Sequence, residues 1–478
     1  MATFPTRTRG SFLFAIYLAA LAVRLAAVLL TRNLPIGLDD MYQYDMLARS
    51  IVLGNDYRWY AEEDLALIRR FIPMEPPPEY DPRGVLTSHR GVGYPAFLAL
   101  VYAVSGLGMQ RLFVARLAQA FLVATLAPMT WALARRAGFG DRSARWASTF
   151  MAFYPLLIAY PLALVSENLF IPLVIAGLVL TLRAAQQGKA LDAILAGLVF
   201  GCAALTRSII AGLAPLAAIW LWRAAKERRT ALRNGAWLVF FSLLVTTPWA
   251  VRNTILHRRL TWLESSLGYN LYLGYHPAST GTFQAGISFD LLPILDDAER
   301  DARGMQAFWN FVRADSGRVP DLMIRKLGYF WGLDRRALTY FYSNGFFGYW
   351  PPWLLGLVLT LDTGPLVLLI PLAAVGLVCG PMHRRKTLLL LALTYYTGVH
   401  TLILAEPRFH LPLLPILAIL AAYALFERPW RESRPWQRGV ALALIVLLLT
   451  NWVTEIARDW DILAQLFGPD GYKLHLSY

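Results

Sequence analysis

Residues 11–40 read SFLFAIYLAALAVRLAAVLLTRNLPIGLDD, and the contrast within this stretch decides the fold. The first twenty residues carry a single charge, Arg24. As a helix they rise about 30 Å, the hydrocarbon thickness of a bilayer. Two adjacent carboxylates, Asp39 and Asp40, follow at once. Arg7 and Arg9 precede the run and no small-residue cleavage site follows it, so it reads as a retained helix with a cytoplasmic start.

Runs of similar length recur along most of the chain. Hydrophobic residues make up 57% and charged residues 16%, against about 45–50% and about 25% in a soluble domain. Such an excess has no place in water, and the chain reads as an all-α polytopic membrane protein with lipid as its solvent. The formal charge of +14 sits in arginines beside apolar runs, where it fixes orientation in a bilayer, so nucleic acid is not an expected partner. The preference for arginine over lysine suits a GC-rich bacterial genome and points to a bacterial inner membrane. Cys202 and Cys379 lie far apart inside apolar runs, which supports neither a disulfide framework nor a zinc site. No metal ligand set is read, and dependence on a divalent metal stays open.

Residues 31–110 hold ten acidic residues and the stretch Pro76–Pro78, and form a first outer loop. Its amphipathic pieces, Met41–Leu53 and Tyr94–Leu107, are too short to span and belong along the membrane surface. Spans then follow at 111–133, 145–162, 165–183, 190–206, 208–222 and 235–251. This register puts Arg135 and Arg136, Arg183 and Lys189, and the run Arg223, Lys226, Arg228, Arg229 and Arg233 on the inside. Residues 255–350 form a second outer loop, helical between about Leu295 and Leu327, suited to docking over the first. Segment 345–362 stays open between interfacial and spanning. The remaining helices bring the count to about eleven, with two large extracytoplasmic loops. The domains are a catalytic membrane module, 1–254, the second loop, C-terminal helices at 351–453 and an extracytoplasmic tail at 454–478.

Several polar groups stand where a membrane protein places them at a cost. Asp39 and Asp40 repel each other at a boundary that raises carboxylate pKa toward a general base; the plain alternative is a pair of loop acids. Glu167, in "LVSENLF", demands a partner or serves with Ser166 as a helix cap. Arg207, Arg252 and Arg408 lie at outer helix ends, against the orientation rule, and ask for an anion such as phosphate; Glu406 beside Arg408 orients it. Plain interfacial salt bridges are the alternative. Arg24 reads as structural, snorkelling or paired with a carboxylate. His89, Arg90, Tyr269 and Asn270 supply groups that suit a sugar ring, although such loop residues are often merely solvated or interfacial.

In order, "GLDDMYQYDMLARSIVLGN", "RGVGYPAFLAL", "SENLF", "ALTRS", "PWAVRN", "GYNLYLGYHPASTG" and "EPRFHLPLLPILA" resemble the GT-C class of integral-membrane glycosyltransferases, in particular the branch of protein O-mannosyltransferases and lipid A aminoarabinose transferases. The resemblance runs through some 400 positions of the 478. It implies an inverting transfer from a polyprenyl-phosphate sugar such as an undecaprenyl phosphate derivative, at the extracytoplasmic face, to a glycan, lipid or protein acceptor. Many relatives carry aspartate then glutamate where this chain has two aspartates and a further Asp45, so the base is Asp40 or Asp39, with Asp40 favoured. Arg408, Arg252 and Arg207 take the donor phosphate, and Glu167 binds acceptor or holds an arginine. The rivals are a transporter or flippase of a lipid-linked sugar, an enzyme like the O-antigen ligases and polymerases, and an inactive assembly partner.

Overall fold

The first apolar run forms the helix Thr6–Leu30 in the computed structural model, which describes residues 6–71, 74, 76, 79–224 and 227–475. Pro77, Pro78 and Lys226 lie outside the described residues, as do the side chains of Arg7 and Arg9. Outward-facing residues of this helix are apolar, with Phe14 and Leu30 exposed, as lipid requires and water would penalise. Arg24 is fully buried. It neither snorkels nor meets a carboxylate: its guanidinium donates to Ala20 O and Ala152 O at 2.8 Å and to Met151 O at 3.0 Å. Ala20 is on the same helix, one turn back, whereas Met151 and Ala152 lie at the end of the helix Asp141–Phe153, which stops before Pro155 because a residue preceding proline avoids helical geometry. Each such charge-assisted bond contributes on the order of 1.5–3 kcal/mol.

Seven helices among the described residues are long and apolar enough to cross a membrane, from Gly10–Leu30 to Pro435–Arg458. Shorter apolar helices, Ala190–Thr206 and Ser208–Ala224, stand between them. The protein is therefore an all-helical membrane protein in its architecture. Of the open segment 345–362, residues 345–351 are turn and loop, and residues 352–362 begin one helix, Pro352–Cys379, with 28 residues and interior prolines at 365 and 371.

The two short helices between the first span and residue 110 are Asp40–Val52 and Gly93–Ser105, each 13 residues and so about 20 Å long, short of a bilayer. They pack on each other. Between them a two-residue antiparallel pairing joins Arg58–Trp59 to Val85–Leu86, which hydrophobic periodicity did not announce. The second loop contributes Leu267–Tyr275, Asp297–Ala314 and Arg318–Phe330, the last two separated at Asp315–Gly317. The two loops dock. Asp297 Oδ2 accepts from Ser88 N at 2.7 Å and Thr87 Oγ1 at 3.1 Å, and the Arg300 guanidinium lies over the Trp59 ring, 5.4 Å from its centroid.

The tail is tied back rather than free. Glu455 and Asp459, at the end of Pro435–Arg458, accept from Arg335 at 2.7 and 2.6 Å.

Candidate active site

Helix Asp40–Val52 begins where Asp39 caps it, with Asp39 Oδ1 accepting from Met41 N at 2.8 Å. Capping by Asp is a strong local preference, so one aspartate is used to start the helix and the next projects from its first turn. Burial pushes Asp39 up to about 6, with the neighbouring Asp40 charge adding, while hydrogen bonds from Tyr340 and Met41 hold it back. A carboxylate in that range is mostly deprotonated at neutrality yet more basic than an ordinary aspartate, and so suited to accept a proton.

Asp40 sits between arginines. Arg90 Nη2 donates to its Oδ1, and both terminal nitrogens of Arg408 lie 3.4 Å from Oδ2. Burial pushes Asp40 up, but the charges of Arg90, Arg408 and Arg207 hold it below the usual carboxylate range. Its side chain keeps 24% of its surface accessible although protein surrounds it, as for a group on a cavity floor. One helical turn on, Gln43 Oε1 accepts from Arg90 Nε and Nη2 at 2.9 and 2.8 Å, fixing that guanidinium.

Two glycines of "RGVGYP" explain how Arg90 arrives there. A Cβ on Gly91 would stand 2.4 Å from Leu205 O, and one on Gly93 2.5 Å from Thr206 Oγ1. Without side chains, the strand of loop lies flat on the end of the helix Ala190–Thr206, next to Arg207. Arg207 donates to Glu167 Oε1 at 2.6 Å and to Ser166 Oγ at 3.3 Å, and Tyr44 bonds the same Ser166. Glu167 is buried and satisfied by this pair. Arg408 Nε donates to buried Glu406 at 2.8 Å, and the Phe409 ring lies under both Arg207 and Arg408, 5.5 and 5.6 Å from their centres.

Beside this polar cluster is an aromatic box. His89 is buried with its ring 5.2 Å from Trp59 and 5.6 Å from Tyr269, and burial, with Arg300 and Arg90 nearby, pushes its pKa well below the ordinary value. The imidazole is neutral. Among the described residues, Trp59 Nε1, His89 Nδ1 and Arg300 Nε and Nη2 have no hydrogen-bond partner. Buried polar groups of this kind are completed by water or by a ligand's polar groups. Asn270 is half-buried on the same helix as Tyr269.

Thus Asp39, Asp40, Arg90, Arg207, Arg408, Glu167 and Glu406 come together. Two expected members do not. Arg252 donates to Thr87 O at 2.6 Å, lies 3.8 Å from Asp56 and covers the Trp249 ring, so it clamps the first loop. Asp45, fully buried, is taken up by Arg49 and Arg111 at 2.8 Å and Tyr102 at 2.9 Å. Sequence reasoning missed Tyr340, Gln43, Trp59, Arg300 and Glu264, whose Oε1 accepts from Ser208 N at 3.2 Å. Gln43 alone had a local signal, its helical spacing from Asp40.

Residues 89–251, about a third of the chain, match the family described as dolichyl-phosphate-mannose-protein mannosyltransferase. No curated protein sequence matches. Among solved structures, the apo oligosaccharyltransferase of Archaeoglobus fulgidus superposes with a TM-score of 0.51 at 16% identity, covering 100% of this chain and 61% of that one. The same enzyme tethered to an acceptor peptide containing the NVT sequon gives 0.50 at 14%, covering 99% and 60%. ArnT from Cupriavidus metallidurans bound to undecaprenyl phosphate gives 0.43 at 14%, covering 95% and 74%. The chain therefore spans about three fifths of the length of the archaeal enzyme whose fold it shares. The resemblance to membrane glycosyltransferases read from the motifs stands in both comparisons, by family for residues 89–251 and by fold for the whole chain.

Proposed function

We propose that this protein is an inverting glycosyltransferase that moves a sugar from a polyprenyl-phosphate donor to an acceptor hydroxyl at the extracytoplasmic face of a bacterial inner membrane. The observation that carries the reading is one carboxylate pair, Asp39 and Asp40, set among three guanidinium groups, Arg90, Arg207 and Arg408. The matched family's description names a prenyl-phosphate sugar as donor, and the archaeal neighbour was solved with an acceptor peptide.

In this reading Asp39 takes the acceptor's hydroxyl proton as the oxygen attacks the anomeric carbon. The bond from that carbon to the phosphate oxygen breaks, its electron pair stays on phosphate, and the donor's single negative charge becomes two. Arg90, Arg207 and Arg408 meet the added charge with fixed donors in a site shielded from water. No general acid is needed for so anionic a leaving group. Asp40 holds Arg90 and Arg408 side by side against their mutual repulsion, which is why the proton-accepting role goes to Asp39 rather than to Asp40. His89, Tyr269 and Trp59 form a wall suited to the sugar, and Asn270 stands at its edge.

Eleven crossings complete the picture, the seven long helices joined by Asp141–Leu162, Ala190–Thr206, Ser208–Ala224 and Arg384–Leu402. Residues 1–254 act as the catalytic membrane module, 255–350 as its cover, 351–453 as the C-terminal spans and 454–478 as the outer tail. The test is to reconstitute the purified protein in liposomes and offer a panel of radiolabelled polyprenyl-phosphate sugars with lipid, glycan and peptide acceptors. Label moves from at least one donor, releasing polyprenyl phosphate; a protein that translocates donors across the bilayer without releasing that phosphate contradicts the reading.

A further inference from the structure

A cleft opens between the two loops away from Asp40, lined by Glu79 and Asp81 from the first and by His257, Asp296 and Asp297 from the second, with Arg58 as the basic group in its wall. Asp81 is paired with Arg83 at 2.7 Å and Arg58 at 3.3 Å, so the negative charge of the cleft rests on Glu79, Asp296 and Asp297. One oxygen each from Asp296 and Asp297 and one ring nitrogen of His257 lie within 4.8 Å of one another, the only such cluster of three among the described residues.

The hydrogen bonding of these three residues leaves ligand atoms over. Asp297 is 1% exposed, and its Oδ2 takes every bond: from Ser265 Oγ at 2.5 Å, Ser88 N at 2.7 Å, Thr87 Oγ1 at 3.1 Å and Ser88 Oγ at 3.3 Å. Its Oδ1 has no hydrogen bond among the described residues and is left for the cleft that Asp297 lines. A buried carboxylate with an uncommitted oxygen calls for a cation. Asp296 uses Oδ1 to cap the helix Asp297–Ala314, accepting from Ala298 N and Glu299 N at 2.9 and 3.0 Å, and keeps its other oxygen. His257 Nε2 lies 2.7 Å from Ser88 Oγ, a contact that orients the ring as outer partners orient metal-bound histidines.

We propose that His257, Asp296 and Asp297 form a Zn²⁺ site whose ion fastens the second loop onto the first. The mixed nitrogen and oxygen donors, three from protein with room for water, suit Zn²⁺; Ca²⁺ favours six or more oxygens. Ligand atoms around one Zn²⁺ stand about 3.5 Å apart, so side-chain rotations moving them by about 1 Å close the set. Ser88, which touches both His257 and Asp297, leads directly into His89 and Arg90. The ion thus steadies the segment that delivers Arg90, and its presence does not depend on what reaction that segment serves.

The test uses full-length protein in detergent, stripped with chelator and titrated with Zn²⁺, Ca²⁺ and Mg²⁺ by calorimetry, with X-ray absorption at the zinc edge. About one equivalent of Zn²⁺ binds in preference to the other two, with nitrogen and oxygen ligation and an imidazole signature. His257→Gln and Asp296→Asn, whose asparagine still caps the helix, weaken binding about tenfold or more. Zn²⁺ raises the Tm of the wild type and leaves that of His257→Gln unchanged. Wild-type affinity in both variants, or absence of saturable binding to the wild type, overturns the site. Should His257→Gln fail to fold, the Asp296→Asn titration decides alone.

Discussion

Asp40 and Asp45 lie five residues apart on the helix Asp40–Val52 and both are surrounded by arginines, yet the two ends differ in kind. Asp45 is closed: fully buried, with both oxygens bonded to Arg111, one of them also to Arg49 and the other to Tyr102. Asp40 is open: its side chain stays 24% accessible, its contacts to Arg408 are long at 3.4 Å, and a second carboxylate with a raised pKa stands beside it. Five residues turn a helix through about 140°, so the two aspartates face different surroundings. An arginine–carboxylate pair is thus ambiguous by itself. What marks the candidate site is that its pairing is incomplete.

The comparison breaks first at Asp45. Asp45→Asn leaves Arg49 and Arg111 around a neutral group, which costs about 3–5 kcal/mol; thermal melting in detergent shows a large loss of stability, while the molecules that remain folded keep their activity. At the open end the signs reverse. Arg408→Lys lowers transfer about 10²–10³-fold, the range for removing one donor to a developing anion, and costs far less stability than Asp45→Asn because a positive charge remains beside buried Glu406. Transfer kinetics and melting curves on one preparation separate the two outcomes.

A smaller effect sharpens the role of Asp39. Its pKa is raised to about 6 and a base works only when deprotonated, so activity is full above that value and falls roughly tenfold between pH 7 and pH 5. The smallest effect is expected from Tyr340→Phe. The tyrosine's hydrogen bond lowers the Asp39 pKa, so its loss moves the acidic limb of the pH–rate profile to higher pH. A limb that moves to lower pH, or stays, assigns the titration to another group.

How much of this was legible depends on what sequence encodes. Helix length is encoded by apolar length, so the helix Thr6–Leu30, the two short helices that follow it and the placing of Asp39 and Asp40 just past a long apolar helix could all be read. Direction around a helix bundle is not. Arg207, Arg252 and Arg408 looked alike as arginines at helix ends, yet two approach Asp40 and Arg252 instead grips Thr87 O. Arg90, read only as a sugar-side residue, proves to be Asp40's hydrogen-bonding partner because Gly91 and Gly93 let its loop lie flat. Arg24 was read as structural, and two of its three partners are carbonyls of a helix more than a hundred residues on. The cluster of His257 with Asp296 and Asp297 spans some forty residues of chain and showed no ligand spacing to find. Closed contacts between distant segments leave no periodic trace, whereas contacts with lipid do.

The central claim is that the carboxylate standing beside the arginine-held Asp40 removes the acceptor's proton. The most direct measurement is the single-turnover rate of sugar transfer from polyprenyl phosphate by Asp39→Asn protein in liposomes, beside wild type with equal folded content. The account predicts a loss of about 10²–10⁴-fold with donor binding retained, since Arg90, Arg207 and Arg408 remain. Transfer at the wild-type rate by Asp39→Asn would contradict it.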